Sequence, residues 1–276
     1  MAISKKTQID VLMTSEMKHT ILEVDDLTIG YWQKKRHKVI AKDIHLSFTE
    51  GTLISLVGAN GIGKSTLLRT LANMQKAIDG SIRIYNKDIE QYHSLEMATL
   101  LSVVLTEAPS SKNLTVLEFV SLGRQPHTNW VGHLSTEDKN KVRLALKQTD
   151  VAALQERKCF ELSDGQMQRV AIARAIAQDT PIILLDEPTT HLDLYHRASI
   201  LKLLKKLTKE TKKTILFSSH EIDLAIQLSD EMILMTESQT LMKTPEQLIK
   251  EGHFDTLFPK DALFFDAGSG RFTIKS

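Results

Sequence analysis

Short apolar runs and helical repeats alternate along most of this chain. From Ile21 the pattern is one of short strands: Ile21-Leu22-Glu23-Val24, Leu27-Thr28-Ile29, Val39-Ile40 and Ile44-His45-Leu46-Ser47-Phe48. Gly51 punctuates the chain before a continuous apolar run, Leu53-Ile54-Ser55-Leu56-Val57, which reads as a buried strand. A helical pattern then runs from Leu67 to Ala72, and Asp79-Gly80 makes a turn into Ile82-Arg83-Ile84. Leu100 to Leu105 forms a further strand that ends at Thr106-Glu107. Composition becomes helical over Thr115–Leu122, Thr136–Thr149 and Asp164–Ala177, with capping-type starts at Thr115-Val116-Leu117-Glu118 and Ser135-Thr136-Glu137-Asp138. Strand and helix alternate again through Ile182–Leu185, Tyr195–Thr211, Thr214–Phe217, Glu221–Leu228 and Met232–Met235. The tail has a helix after Thr244-Pro245-Glu246 and a hairpin, Phe264–Asp266 to Phe272–Ile274, turning at Gly268-Ser269-Gly270.

Strands that are apolar throughout and separated by helices predict an α/β fold with a mostly parallel sheet covered on both faces. The N-terminal strands form a separate antiparallel β region, and a helical subdomain is inserted over about residues 108–178. Residues 1–18 are polar and non-periodic and read as an N-terminal extension. Residues 19–276 make a single domain, with a C-terminal tail over about 238–276.

Charge is balanced, 35 Lys and Arg against 34 Asp and Glu, so no global field favours nucleic acid. The basic run Lys34-Lys35-Arg36-His37-Lys38 reads as a solvated hairpin tip, and Lys202, Lys205, Lys206 and Lys209 as a solvated face opposite Leu201, Leu204 and Leu207. Cys159 is the one cysteine, which excludes a disulfide framework or a multi-cysteine metal site within the chain. Beside Phe160 in an apolar patch, it reads as a buried structural thiol rather than a reactive one. Charges interrupt every apolar run before the roughly 18 residues that a membrane span needs. Met1-Ala2-Ile3-Ser4-Lys5-Lys6 lacks the apolar core of a signal peptide. The expectation is a soluble, cytoplasmic chain; if it works at a membrane, a partner must hold it there.

The chemistry centres on Gly58-Ala59-Asn60-Gly61-Ile62-Gly63-Lys64-Ser65-Thr66. A strand runs into this loop and a helix runs out, the context in which G-x-x-x-x-G-K-[ST] is a phosphate-binding P-loop. Gly58, Gly61 and Gly63 let the backbone around Asn60 curl until its N–H groups point inward, and the helix start at Ser65 and Thr66 adds positive potential. Lys64 then reaches the β- and γ-phosphates and the Ser65 hydroxyl ligates Mg²⁺. A second site, Ile182-Ile183-Leu184-Leu185-Asp186-Glu187-Pro188, places two carboxylates at the C-terminal end of a buried strand, where open α/β sheets bind ligands. Asp186 suits a Mg²⁺ contact. Glu187 is the better candidate to polarise the attacking water.

Leu162-Ser163-Asp164-Gly165-Gln166, heading a helix upstream of the acidic strand, resembles the signature of ATP-binding cassette (ABC) ATPases, whose usual form is Leu-Ser-Gly-Gly-Gln. Asp164 departs from that form, and Ser163, Gly165 and Gln166 keep it. The resemblance covers roughly residues 20–240. It implies a P-loop NTPase core in which Ser163 and Gly165 touch the γ-phosphate and the Asp164 side chain points away from it. His191-Leu192-Asp193 resembles the family's D-loop, with Asp193 crossing between subunits. Ser218-Ser219-His220 resembles its switch histidine, His220 reading the γ-phosphate through a hydrogen bond. Tyr31 matches the aromatic that stacks on adenine, with Trp32 as the alternative ring. Glu107 stands where the family usually carries a Mg²⁺-ligating, partner-coupling glutamine. It still offers an oxygen ligand, but its charge alters either Mg²⁺ affinity or the coupling.

The resemblance further implies ATP and Mg²⁺ as ligands and a homodimer that sandwiches two ATP between the P-loop of one copy and the signature of the other. ATP hydrolysis then opens the pair and drives a transporter. Asn113-Leu114-Thr115-Val116 through Gly123-Arg124-Gln125-Pro126 to Leu134-Ser135 looks like the helical region of ATPases serving iron–siderophore, heme and cobalamin uptake. The expected partners are an integral-membrane permease dimer and, through it, a substrate-binding protein, with the chain peripheral on the cytoplasmic face of the inner membrane. Import is favoured over export, and no nucleic acid is expected. The alternative is a soluble ABC ATPase acting in cluster assembly or another non-transport role.

Overall fold

The computed structural model describes residues 19–33, 36–105, 113–128, 132–257, 263–268 and 270–274. The expectations for residues 1–18, Lys34, Lys35, Thr106, Glu107 and Ser269 lie outside the described residues.

Two 14-residue strands open the fold, β1 (Thr20–Gln33) and β2 (Arg36–Thr49). They pair antiparallel along their length, so the short apolar runs of this region are pieces of two continuous strands. Asp26 and Asp43 take φ of 48° and 55°, and the register shifts between Val24 and Leu27. A bulge of this kind sends the following side chains to the other face, which broke the alternation in the sequence. The chain continues through β3 (Leu53–Gly58), α1 (Lys64–Leu71), β4 (Asp79–Ile84) and β5 (Lys87–Asp88). Asp79 and Gly80 belong to β4 itself, and the antiparallel sheet has the order β2-β1-β4-β5.

Next come α2 (Ser94–Leu100), β6 (Leu101–Val104), α3 (Val116–Ser121), α4 (Thr136–Gln148), α5 (Asp164–Ala177), β7 (Ile182–Leu185) and α6 (Leu194–Thr211). They are followed by β8 (Thr214–Ser218), α7 (Ile222–Leu228), β9 (Glu231–Met235), β10 (Thr240–Lys243), α8 (Pro245–Lys250) and the hairpin β11 (Leu263–Asp266) and β12 (Arg271–Ile274). The larger sheet has the order β10-β9-β3-β8-β7-β6. All its pairings are parallel except that of β10 with β9.

Residues alternate strictly across this sheet. Leu53, Val57, Ile183, Leu185, Ile215 and Phe217 face a core built with α3 to α6. Their neighbours Ile54, Leu56, Ile182, Leu184 and Leu216 face a second core closed by α1, α2 and the antiparallel sheet. Two cores explain why β3, β7 and β8 are buried at every position and mostly apolar. The capping boxes read in the sequence form at Thr115 and Ser135, each side-chain oxygen accepting a backbone N–H of the first turn at 3.1 Å.

The stretch from Gly123 to Pro126 fastens the three helices together. A Cβ at Gly123 would lie 2.3 Å from the Arg174 carbonyl oxygen, so the loop closes on α5 only with glycine there. Arg124 Nε donates to Asp138 of α4 at 2.9 Å and Nη1 donates to the Ala177 carbonyl of α5 at 2.7 Å, with both partners of the ion pair buried. Cys159 is buried, and burial pushes its thiol pKa up, assisted by Glu118. Phe160 is 59% exposed, so the apolar patch expected around Cys159 does not include it. Among the described residues no helix is long and apolar enough to cross a membrane.

Candidate functional site

Three parallel strands bring the site together. β3, β8 and β7 lie side by side, and each ends on the same edge of the sheet and hands the chain to one part of the site.

β3 leads into the loop of residues 58–63, and Gly63, at φ 115°, stands at the N-cap of α1. That left-handed conformation favours glycine and turns the loop sharply into the helix. Lys64 is almost fully buried, and its Nζ donates to the carbonyl oxygens of Gly58 at 2.9 Å and Ala59 at 3.1 Å. Burial pulls its pKa down, and the charges of Glu187 and Asp186 oppose that shift. The ammonium thus sits desolvated inside a ring of backbone, ready to gain from any anion that enters.

β7 leads into Asp186 and Glu187. Asp186 is buried, and its Oδ1 accepts hydrogen bonds from Ser65 Oγ at 3.1 Å and Ser218 Oγ at 2.8 Å. Ser218 Oγ in turn accepts the Glu187 backbone N–H at 2.8 Å, so the end of β8 holds the end of β7. Glu187 has φ 50°, a left-handed conformation unusual outside glycine, and this aims its carboxylate into the cavity in front of α1. Its Oε2 accepts Thr190 Oγ1 at 2.9 Å and its Oε1 lies 2.5 Å from His220 Nε2. Burial alone would raise the Glu187 pKa; the His220 and Thr190 hydrogen bonds, with the charges of His220 and Lys64, outweigh it and hold the carboxyl below its ordinary range.

These groups line a cavity of about 380 Å³ with Tyr31, Asn60, Gly61, Gly63 to Thr66, Glu187 and His220 on its walls. Tyr31 reaches it from β1, its hydroxyl 2.8 Å from Thr66 Oγ1. The cavity therefore combines backbone N–H groups at a helix start, one ammonium, a carboxylate with a histidine partner, and an exposed ring at the rim. It suits a polyphosphate joined to a flat base. The Ser65 hydroxyl and Asp186 carboxylate form a hard oxygen pair of the kind that Mg²⁺ selects.

Ser163, Gly165, Gln166 and Asp193 stand elsewhere, and none of them lines this cavity. Ser163 is the N-cap of α5, with its Oγ accepting the Gln166 N–H at 3.3 Å while Gln166 Oε1 accepts the Ser163 N–H at 3.1 Å. Asp164 is exposed and Gly165 buried. Asp193 is the N-cap of α6. Glu107 lies outside the described residues. Sequence reasoning missed Thr190 and Ser218 as parts of the site. Thr190 left only its three-residue spacing from Glu187, and Ser218 stood in the Ser218-Ser219-His220 run without a role.

The ABC transporter family profile matches residues 41–190. The iron(3+)-hydroxamate import ATP-binding protein of Bacillus subtilis is 38% identical over 80% of this chain and 80% of its own length. The achromobactin transport ATP-binding protein of Dickeya dadantii is 35% identical over 88% of this chain and 89% of its own. A dimeric ATP-binding cassette in a post-hydrolysis state, bound to ADP and Pi, superposes with a TM-score of 0.69 at 30% identity, over 82% of this chain and 99% of that one.

Proposed function

The chain belongs to the ATP-binding subunits of ABC transporters, and from that premise we propose that it powers uptake of an iron–siderophore, heme or cobalamin type ligand through a separate permease. It is an ATPase coupled to transport. The observation that carries the import reading is the naming of its relatives: proteins matching four-fifths or more of this chain serve hydroxamate import and achromobactin transport. The cluster-assembly alternative has no such support.

In this reading the triphosphate enters the cavity in front of α1, and Lys64 exchanges the Gly58 and Ala59 carbonyls for phosphate oxygens. Ser65 and Asp186 hold Mg²⁺, which when bound neutralises phosphate charge. Glu187 accepts the proton of the attacking water. Its Thr190 and His220 partners fix both carboxylate oxygens, so the base is oriented before substrate arrives, and His220 stands at the γ-phosphate end. Tyr31 stacks on the base.

A second copy completes the site. Ser163 and Gly165 head α5 away from the cavity in their own chain, so they meet a nucleotide only when another copy stacks head to tail. ATP then joins the two copies, and its hydrolysis separates them. The permease docks beside β6, at a groove of about 670 Å³ that Met74, Met97, Val103, Phe119 and Leu122 line. A permease that reaches the substrate-binding protein outside holds the chain on the cytoplasmic face of the inner membrane.

Co-purification from gently solubilised membranes tests the assignment. The expected result is a multi-span permease in two copies per pair of this chain. Recovery only in the soluble fraction, with non-membrane partners, overturns the transport reading and leaves the ATP site standing.

A further inference from the structure

We infer that His196 is a positioning residue for the trans half of the ATPase site: its imidazole ties Asp193, at the start of α6, to the Gly165 turn at the start of α5. It thereby fixes the surface that Ser163 presents to a second copy. The inference rests on the sandwich reading above.

Asp193 caps α6 in the ordinary way, its Oδ1 accepting the His196 backbone N–H at 2.9 Å. Capping needs nothing from the His196 side chain. Yet the imidazole turns back over the helix start, with Nδ1 2.9 Å from Oδ1 and 2.8 Å from Oδ2 of the same carboxylate. The His196 backbone and then its ring hold the Asp193 pKa below the usual carboxylate range. That double grip fixes the far side of the ring against α5.

The far side meets Gly165. A Cβ built on Gly165 would lie 3.0 Å from His196 Cδ2, 3.5 Å from Cγ and 3.7 Å from Nε2, so the ring lies against the glycine and a side chain there would force it to give. Gly165 is buried although its neighbours Ser163 and Asp164 are exposed. One turn further along, Arg169 Nη2 donates to Ser199 Oγ at 2.7 Å, a second rung between the same two helices. The rungs link residue 165 to 196 and residue 169 to 199, two static contacts between the first turns of α5 and α6. Of the two, the His196 rung is nearer Ser163. No part of His196 lines the nucleotide cavity of its own chain.

The test uses the full chain and three measurements: ATP turnover, affinity for a fluorescent ATP analogue, and Tm. His196→Ala is expected to lower kcat about tenfold, the loss that follows when one charge-assisted hydrogen bond shaping a transition-state site is removed. Analogue affinity stays at the unmodified value, because the chain's own cavity is untouched, and Tm stays close to it, because the His196–Asp193 contact is half exposed to solvent. His196→Asn, whose amide can still donate to Asp193, recovers part of the turnover. Ser163→Ala is measured alongside. Unmodified turnover in His196→Ala, with Ser163→Ala impaired, overturns the His196 role and leaves the sandwich reading intact. Unmodified turnover in both overturns the sandwich reading and this inference with it. A fall in kcat that tracks a fall in Tm and is not relieved by asparagine also overturns it, since the ring then serves only the fold.

Discussion

The two edges of the proposed site are built on opposite terms. At the ends of β3, β7 and β8 the polar groups already have partners within the chain: Lys64 on two carbonyls, Ser65 and Ser218 on Asp186, Thr190 and His220 on Glu187. At the starts of α5 and α6, Ser163 and Asp193 cap their own helices, and Leu194 and Tyr195 beyond them stand 69% and 77% exposed. Buried strands fix the first edge, and helix starts display the second. The contrast matches a site whose catalytic half is assembled in one chain while its other half waits for a neighbour.

The largest effect is expected at the assembled edge. Glu187→Gln keeps an oxygen for Thr190 and an amide beside His220 but removes the proposed base, so turnover is expected to fall about 10³-fold. Nucleotide binding persists, and gel filtration in ATP then shows accumulation of dimer. Turnover near the unmodified rate removes Glu187 from the base role.

The displayed edge is probed at Ser163, where capping and phosphate contact must be separated. Ser163→Ala loses both and is expected to lower turnover about 10- to 100-fold, with about 1 kcal/mol of stability lost with the cap. Ser163→Asp keeps a good cap but brings a negative charge to the γ-phosphate. It is expected to match alanine in turnover while keeping the unmodified Tm. An aspartate variant that turns over normally shows that this edge faces no phosphate.

A smaller effect reads the assembled edge by pH. The folded-state pKa of Glu187 is depressed, so its ionised form contributes stability that is fully present above the unfolded value of about 4.3 and is lost as pH falls through the folded value. The stability gap between the unmodified chain and Glu187→Gln therefore narrows on acidification below about pH 4.3. A denaturant series over that range measures it, and a gap that widens with acid contradicts the His220 and Thr190 clamp.

How far the sequence carried depended on whether the signal was local. The parallel strands were legible because both faces are buried, and α5 and α6 because long periodic helices announce themselves. α2 was not: of its seven residues only Met97 is buried and Leu95 is 63% exposed, so no apolar stripe marks it. β10 was missed because all four of its residues are half-buried at a sheet edge, which gives no alternation. The P-loop, Asp186, Glu187 and His220 were legible as candidates through their motifs and strand ends. Thr190, Ser218 and the Arg124–Asp138 pair were not, since their roles come from contacts that only the fold creates.

The smallest expected effect lies at the rim of the assembled edge, where two neighbouring rings compete for one task. Tyr31 lines the cavity with its hydroxyl on Thr66, while Trp32, 56% exposed, meets His37 edge-on at 4.2 Å and lines no part of it. Successive residues of a strand point to opposite faces, so only one of the two can lie over a base bound in front of α1. Tyr31→Phe keeps the ring and gives up one partly buried hydrogen bond, a loss of about 0.5–1.5 kcal/mol in stability, with ATP affinity changed less than about threefold. Tyr31→Ala removes the stacking surface and is expected to weaken ATP about tenfold. Trp32→Ala leaves affinity unchanged. The reverse outcome, with Trp32→Ala weakening ATP and Tyr31→Ala not, moves the base to the other face of β1 and takes the rim out of the assembled half.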